Sequence, residues 1–219
     1  MVLPEEFFSC KKCDDGIRRE EGETPVPGDG SSHAKIMLIG ESAGAEEMKR
    51  GKPFQGKAGE NLNEFLSMIG LERKDIYISN TTRCRPYNTK EKILKNGTVK
   101  VTKSNRPPGK QEILTCASWL DYEIEKLVPS LIITLGSVPL KRITGQSTIS
   151  AVHGSLLNTP IQYFDVNNNK FMFSTREFHV FPLYHPASII YRRELKEVFV
   201  EDLNKLKNVL TQLQINPSV

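Results

Sequence analysis

The chain has 219 residues, enough for one sizeable α/β domain and too few for two ordinary ones. At 38 % hydrophobic content it can bury a core without disulfides, and no apolar run approaches the ~18 residues of a membrane span, which reads against a membrane partner. Thirty basic residues against twenty-six acidic ones leave a formal charge of +4, a weak pointer to nucleic acid.

The segment Met1–Phe8 carries Glu5 and Glu6 and lacks the basic-then-apolar layout of a secretion signal. A soluble, cytoplasmic monomer is therefore expected. Residues 1–34 read as a loop holding the knuckle Cys10-Lys11-Lys12-Cys13 and a Pro/Gly-rich stretch from Thr24 to Gly30. Lys35–Ile39 is a short apolar run, predicted as a buried strand. A helix is expected over Gly59–Met68, with Leu62, Phe65 and Leu66 on one face, and a second strand over Ile76–Ser79. Residues 88–106 form a polar, lysine-rich insert in which Ile93–Val101 reads as a hairpin with a type I′ turn at Asn96-Gly97. A long helix over Lys110–Leu127 follows, then a strand over Leu131–Leu135, then Gly136-Ser137 opening a short helix. Ile161–Val166 and Lys170–Phe173 read as a second hairpin around Asn167-Asn168-Asn169. His179–Leu183 is a fourth core strand, and a last helix over Arg193–Leu213 turns Leu195, Phe199, Leu203, Leu206 and Leu210 inward.

Strands alternating with helices imply a three-layer α/β/α sandwich on a central, mostly parallel four-stranded sheet, here with two added hairpins. In such sheets ligands bind beyond the carboxyl ends of the strands. Gly40–Gly44, Asn80, Gly136-Ser137 and His185 each follow a predicted strand, so their convergence on one site is expected.

The four cysteines are Cys10, Cys13, Cys84 and Cys116. Disulfides do not suit an intracellular chain. Structural zinc sites usually offer two knuckles, and this chain has one. A [4Fe–4S] cluster needs four thiolates, the whole set available. Spacing alone leaves cluster, zinc and inert buried thiols open.

Taken in order, these segments resemble the family 4 uracil-DNA glycosylases over residues 7–213, nearly the whole chain. Val26-Pro27-Gly28-Asp29-Gly30 leads into the first strand. Gly40-Glu41-Ser42-Ala43-Gly44-Ala45-Glu46-Glu47 resembles the family's Gly-Glu-Ala-Pro-Gly-x-x-Glu, and Gly51-Lys52-Pro53-Phe54-Gln55-Gly56-Lys57-Ala58-Gly59 its Gly-x-Pro-Phe-x-Gly-x-Ala-Gly. Asn80 with Arg83-Cys84-Arg85-Pro86, Leu135-Gly136-Ser137, and His185-Pro186-Ala187 complete the set. Ser42, Ala43 and Met48 depart from the family pattern, and the 88–106 and 161–173 hairpins are additions to a compact member. These departures bear on the target base more than on the reaction.

The resemblance implies a DNA glycosylase that flips uracil or a related base out of DNA and hydrolyses its N-glycosidic bond, with a [4Fe–4S] cluster on Cys10, Cys13, Cys84 and Cys116. Phe54 would be the stacking platform and Asn80 the edge reader, with Ser42 beside them. His185 would stabilise the departing base anion. Glu41 would position water or offset charge on the sugar, and Glu47 would share that work or hold the loop. Backbone amides at Gly44, Gly136 and Ser137 would meet phosphates. Ile189, Ile190 and Tyr191 would wedge the gap left by the flipped base, and Arg192 and Arg193 would meet phosphates. Two other readings stand beside repair of uracil: a modified pyrimidine as target in a mobile-element or antiviral setting, and a catalytically weak DNA-binding module. The insert, with Lys90, Lys92, Lys95, Lys100 and Lys103 against Glu91, is either a solvated hairpin or an extension toward the DNA backbone.

Overall fold

The computed structural model of the chain describes residues 2–13, 23–188, 192 and 194–215. After a single turn at Glu5–Phe7 come β1 (Asp29–Gly30), β2 (Ile36–Ser42), α1 (Ala45–Arg50), α2 (Lys57–Met68) and β3 (Ile76–Thr82). Then follow β4 (Tyr87–Ile93), β5 (Val99–Asn105), α3 (Lys110–Leu127), β6 (Leu131–Leu135) and α4 (Ser137–Thr144). The strands β7 (Leu157–Asp165) and β8 (Lys170–Leu183) and the helix α5 (Leu195–Gln212) close the fold. The main sheet has six strands in the order β1-β3-β2-β6-β8-β7. Its four central strands are mutually parallel, as the sequence pattern implies, and β1 and β7 are antiparallel edges.

The central strands are continuous apolar runs because both of their faces are covered. Side chains alternate along a strand. Ile36 and Leu38 of β2, Ile76 and Ile78 of β3, Ile133 of β6 and Phe181 of β8 therefore share one face, with Leu62, Phe65 and Leu66 of α2 and Phe199, Leu203 and Leu206 of α5. Met37, Tyr77, Ile132 and Val180 point the other way, against Leu120 and Ile124 of α3 and Ile143 of α4. No described helix is long and apolar enough to cross a membrane.

A polar network centred on one carboxylate is buried in the second layer. Glu123 on α3 and Arg83, just past β3, are 0 % and 1 % exposed. Arg83 Nη2 donates to Glu123 Oε2 at 2.6 Å and its Nη1 to Oε1 at 3.3 Å. Tyr77 and Ser79 hydroxyls donate to the same carboxylate at 2.8 and 2.6 Å, and the Gly28 N–H does so at 3.2 Å. Five donors on one carboxylate tie β3, α3 and the chain before β1 into one unit.

Two expectations are corrected. The 161–173 hairpin forms around Asn167–Asn169 as read, but it is no addition beside a four-stranded sheet: β8 runs unbroken from Lys170 into the core strand and pairs with β7 across one register shift, so the hairpin is the edge of the six-stranded main sheet. The Asn96-Gly97 turn is not type I′, which needs φ > 0 at both residues. Gly97 has φ +82 and Asn96 does not share that region. Gly97 N–H donates to Leu94 and Leu94 N–H to Thr98, the pattern of a three-residue turn closed by a left-handed glycine.

Candidate active site

The candidate site lies toward the carboxyl ends of the central strands, on the sheet face that α2 and α5 cover. Gly40 of β2 and Asn80 of β3 are register partners. By alternation both continue the face that carries Leu38 and Ile78. The expected strand Ile76–Ser79 stops before Asn80, whereas β3 continues to Thr82, so Asn80 sits inside the strand. A Cβ at Gly40 would collide with Asn80 Oδ1 and stand 2.7 Å from the Phe54 ring. The missing side chain is what lets the amide and the ring approach. The Phe54 ring in turn stacks on the His185 imidazole, with centroids 5.7 Å apart and planes 24° off parallel. The structure thus brings Gly40, Phe54, Asn80 and His185 together. Ser42 lies two residues beyond Gly40 on the same strand face, paired with Thr82.

Asn80 is 4 % exposed, and its Oδ1 is buried with no hydrogen-bond partner among the described residues. A buried, unmatched amide oxygen costs ~1–3 kcal/mol.

His185 has a defined tautomer. The Ala187 N–H donates to Nδ1 at 3.1 Å, which makes Nδ1 the acceptor and leaves the proton on Nε2. Burial pushes the imidazole pKa down to about 4, against a small opposing pull from Glu47. The ring is therefore neutral at pH 7 and still a donor. The linkage sign follows: the unfolded imidazole, near 6.5, binds a proton that the folded one refuses, so stability falls as pH drops from about 6.5 to 4. His185→Gln is expected to remove up to roughly 3 kcal/mol of that loss, read from urea unfolding of both proteins at pH 7 and pH 4. Equal losses in the two proteins would contradict the buried neutral ring.

Phe54 is held by force. Its φ is +54°, a left-handed value uncommon for an aromatic residue. Arg73 donates to the Pro53 carbonyl at 3.1 Å, to the Phe54 carbonyl, and to Asn63 Oδ1 at 2.8 Å. Gly59 on α2 has no room for a Cβ, which would overlap the Phe54 carbonyl. Neither Arg73 nor Gly59 carried a role in the sequence reading. Gly59 left a trace as the last glycine of the Gly51–Gly59 segment that resembles the family's. Arg73 sits in the polar run Glu72-Arg73-Lys74-Asp75 and left none.

Glu47 accepts three backbone bonds, from Gly44 at 3.0 Å, Gln55 at 2.8 Å and Gly56 at 3.2 Å. That geometry favours the loop-holding alternative, and it leaves the Gly44 N–H engaged within the chain. The Gly136 N–H is also engaged, with the Leu183 carbonyl, and the residue packs on the His185 Cβ. Ser137 opens α4 and is exposed. Glu41 is half-buried at the end of β2, and burial raises its pKa. No side-chain bond holds its carboxylate among the described residues. Arg192 is exposed and pairs with Glu194 at 3.2 Å. Ile189, Ile190, Tyr191 and Arg193 lie outside the described residues.

All four cysteines line one small pocket, with Pro25, Thr115 and Trp119. Cys84 and Cys116 are buried and Cys10 and Cys13 half-buried. Desolvation pushes the Cys116 thiol up to about 11, with Cys13 and Cys10 adding to the rise and Arg83 opposing it. Among the described residues no three His, Cys, Asp or Glu side chains are arranged to hold a single metal ion.

A family model described as the uracil DNA glycosylase superfamily matches residues 27–207. A type-4 uracil-DNA glycosylase of Sulfurisphaera tokodaii is 33 % identical, over 94 % of this chain and 83 % of its own length. One from Saccharolobus solfataricus is 33 % identical over 98 % and 88 %, and one from Archaeoglobus fulgidus 32 % identical over 92 % and 88 %.

Proposed function

The chain belongs to the uracil DNA glycosylase superfamily, and on that premise we propose that it releases uracil from DNA by hydrolysis, in the pocket of Phe54, Asn80 and His185. The observation that carries this is the buried Asn80 Oδ1 with no partner among the described residues. Uracil presents an N–H beside a carbonyl, so Oδ1 accepts from N3–H while the amide nitrogen donates to O4. A base reaches this depth only when its nucleotide is flipped from the helix or is already single-stranded. The Phe54 ring then stacks on its face, worth ~1–3 kcal/mol.

Cleavage leaves the electron pair of the C–N bond on the base and positive charge on the sugar. The His185 Nε2–H donates to O2 as that anion forms. A ring already neutral does not hand over a second proton; it stabilises charge that appears only in the transition state. Water forms the new bond to the anomeric carbon, and its released proton balances the departing base. Glu41 faces that water and offsets the sugar's charge. Glu47 shapes the α1–α2 loop that carries Phe54. Ser137 at the start of α4 and Arg192 near the His185 loop meet phosphates, with Gly44 and Gly136 shaping the turns between.

The four thiols line one pocket, and a [4Fe–4S] cluster takes four thiolates, the whole set this chain carries, whereas structural zinc sites usually draw on two Cys-x-x-Cys knuckles and this chain has one. Bound there, the cluster would join the N-terminal loop, the chain after β3 and α3. Protein made with ample iron is expected to be brown and to carry about four irons per chain. Zinc in place of iron would overturn this assignment.

The activity itself is tested by incubating the protein with a uracil-containing oligonucleotide. Free uracil and an alkali-labile abasic site are expected. Release from a 5-modified pyrimidine with uracil untouched would assign the pocket to that base, and binding without release would reduce the protein to a DNA-binding module.

A further inference from the structure

The β4–β5 hairpin is a two-stranded sheet of its own, with register Lys90↔Thr102, Lys92↔Lys100 and Ile93↔Val99. Alternation divides it into two faces. One carries Lys90, Lys92 and Lys100; the other carries Ile93, Val99 and Val101, which are 74 %, 56 % and 52 % exposed. Neither face is covered. A ribbon of two strands is marginally stable in water, and like charges directly opposite each other destabilise it further. Lys92 and Lys100 are such a pair. None of Lys90, Lys92 and Lys100 has an acidic partner among the described residues, and Glu91 belongs to the opposite face.

The root of the ribbon is firm and stands near the pocket. Arg85 donates to Asn105 Oδ1 at 2.7 Å and to the Lys103 carbonyl at 3.3 Å. Arg85 and Lys103 each sit over the Tyr87 ring, at 5.4 and 5.0 Å from its centre. The Asn105 side chain lies 3.4 Å from where a Cβ on Gly44 would be, so the ribbon rises beside the loop that follows β2. It therefore leaves the sheet at the same end as Gly40, Asn80 and His185.

We infer that this ribbon is a second DNA contact, whose face of Lys90, Lys92 and Lys100 takes the phosphate backbone outside the pocket. The inference rests on the uracil-excision reading for its polyanion. A row of phosphates supplies what the ribbon lacks: counter-charge for the Lys92–Lys100 pair. Lys90 and Lys92 are about 6.8 Å apart along the strand, far enough to meet separate phosphates of one DNA strand. A two-stranded ribbon also fits along a major groove. These contacts read no sequence. They lengthen the footprint, and they make affinity steeper in salt.

The test is the salt dependence of binding to undamaged duplex, by fluorescence anisotropy, for the wild type and for Lys90→Gln/Lys92→Gln/Lys100→Gln. Three lost phosphate contacts flatten the log–log slope by about 2.7. Between 50 and 200 mM salt the variant is then expected to lose about 40-fold less affinity than the wild type. A second variant, with residues 88–104 replaced by a short Gly-Ser link, should match it, and unchanged thermal melting of both shows that the core is intact. An unchanged slope in both variants overturns the inference. So does a wild-type dimer in sedimentation that Ile93→Ser/Val99→Ser dissolves, since the apolar face would then belong to a second copy. Because the duplex contains no uracil, this slope is read independently of excision; a wild type that shows it but releases no base from a uracil-containing oligonucleotide would sink the excision reading alone.

Discussion

Replacing His185 with alanine is expected to slow single-turnover base release by about 10²–10³-fold, or ~2.7–4 kcal/mol of transition-state stabilisation. The imidazole is placed for a charge that does not exist in the ground state. Its Nδ1 is occupied by the Ala187 N–H, its proton is confined to Nε2, and burial holds its pKa at about 4. An interaction made only in the transition state lowers the rate and leaves affinity nearly alone. Binding of the same oligonucleotide should accordingly change little. Near-normal release by His185→Ala would mean that the pocket has been misplaced.

Glu123→Ala is expected to destabilise the fold by about 3–5 kcal/mol, the usual cost of leaving a buried partner charge uncompensated. Arg83 would lose both of its carboxylate bonds while 1 % exposed, and Tyr77 and Ser79 would lose their acceptor. At ~2–4 °C per kcal/mol for a chain of this size, the melting midpoint should fall by roughly 10 °C. Glu125→Ala, on the exposed side of the same helix, should stay within about 0.5 kcal/mol. The damage should also reach the cysteines, because Arg83 adjoins Cys84, and Cys116 stands two turns before Glu123 on α3. Iron content should fall along with stability. A loss under about 1 kcal/mol would show that the network stabilises far less than its burial implies.

The parallel core was legible because burial on both faces writes a continuous apolar run. Leu131–Leu135 and the helix Lys110–Leu127 appear with the bounds that periodicity predicts. Lys170–Phe173 was legible as a hairpin strand, but its continuity with His179–Leu183 was not: residues 174–177, across the irregularity in the pairing with β7, bury little, so no apolar signal joins the two halves of β8. Strand β1 is two residues held by backbone pairing, and backbone pairing leaves no side-chain pattern. Helix α1 is six residues closed by the bond from the Gly44 N–H to the Glu47 carboxylate, too short for a periodicity to develop.

The site divides in the same way. Asn80 and His185 could be singled out because each follows a predicted strand, and Phe54 because it lies in the Gly51–Gly59 segment that resembles the family's. Their meeting depends on the register of Gly40 with Asn80 and on the left-handed Phe54 backbone, and neither is written in residue types. Arg73 makes that backbone possible through carbonyls alone.

The central claim is that the buried Asn80 amide reads uracil by its edge. Cytosine differs there in offering an acceptor at N3 and an amino group at C4, so both polarities are reversed. A site built to hydrogen-bond its substrate rejects a mismatched analogue by ~10⁴–10⁵. The decisive measurement is the single-turnover release rate for uracil and for cytosine at one position of otherwise identical single-stranded oligonucleotides. The account predicts uracil release faster by at least ~10⁴ in the wild type and a ratio greatly reduced in Asn80→Ala. Comparable rates for the two bases in the wild type, or a ratio that survives Asn80→Ala, would contradict it.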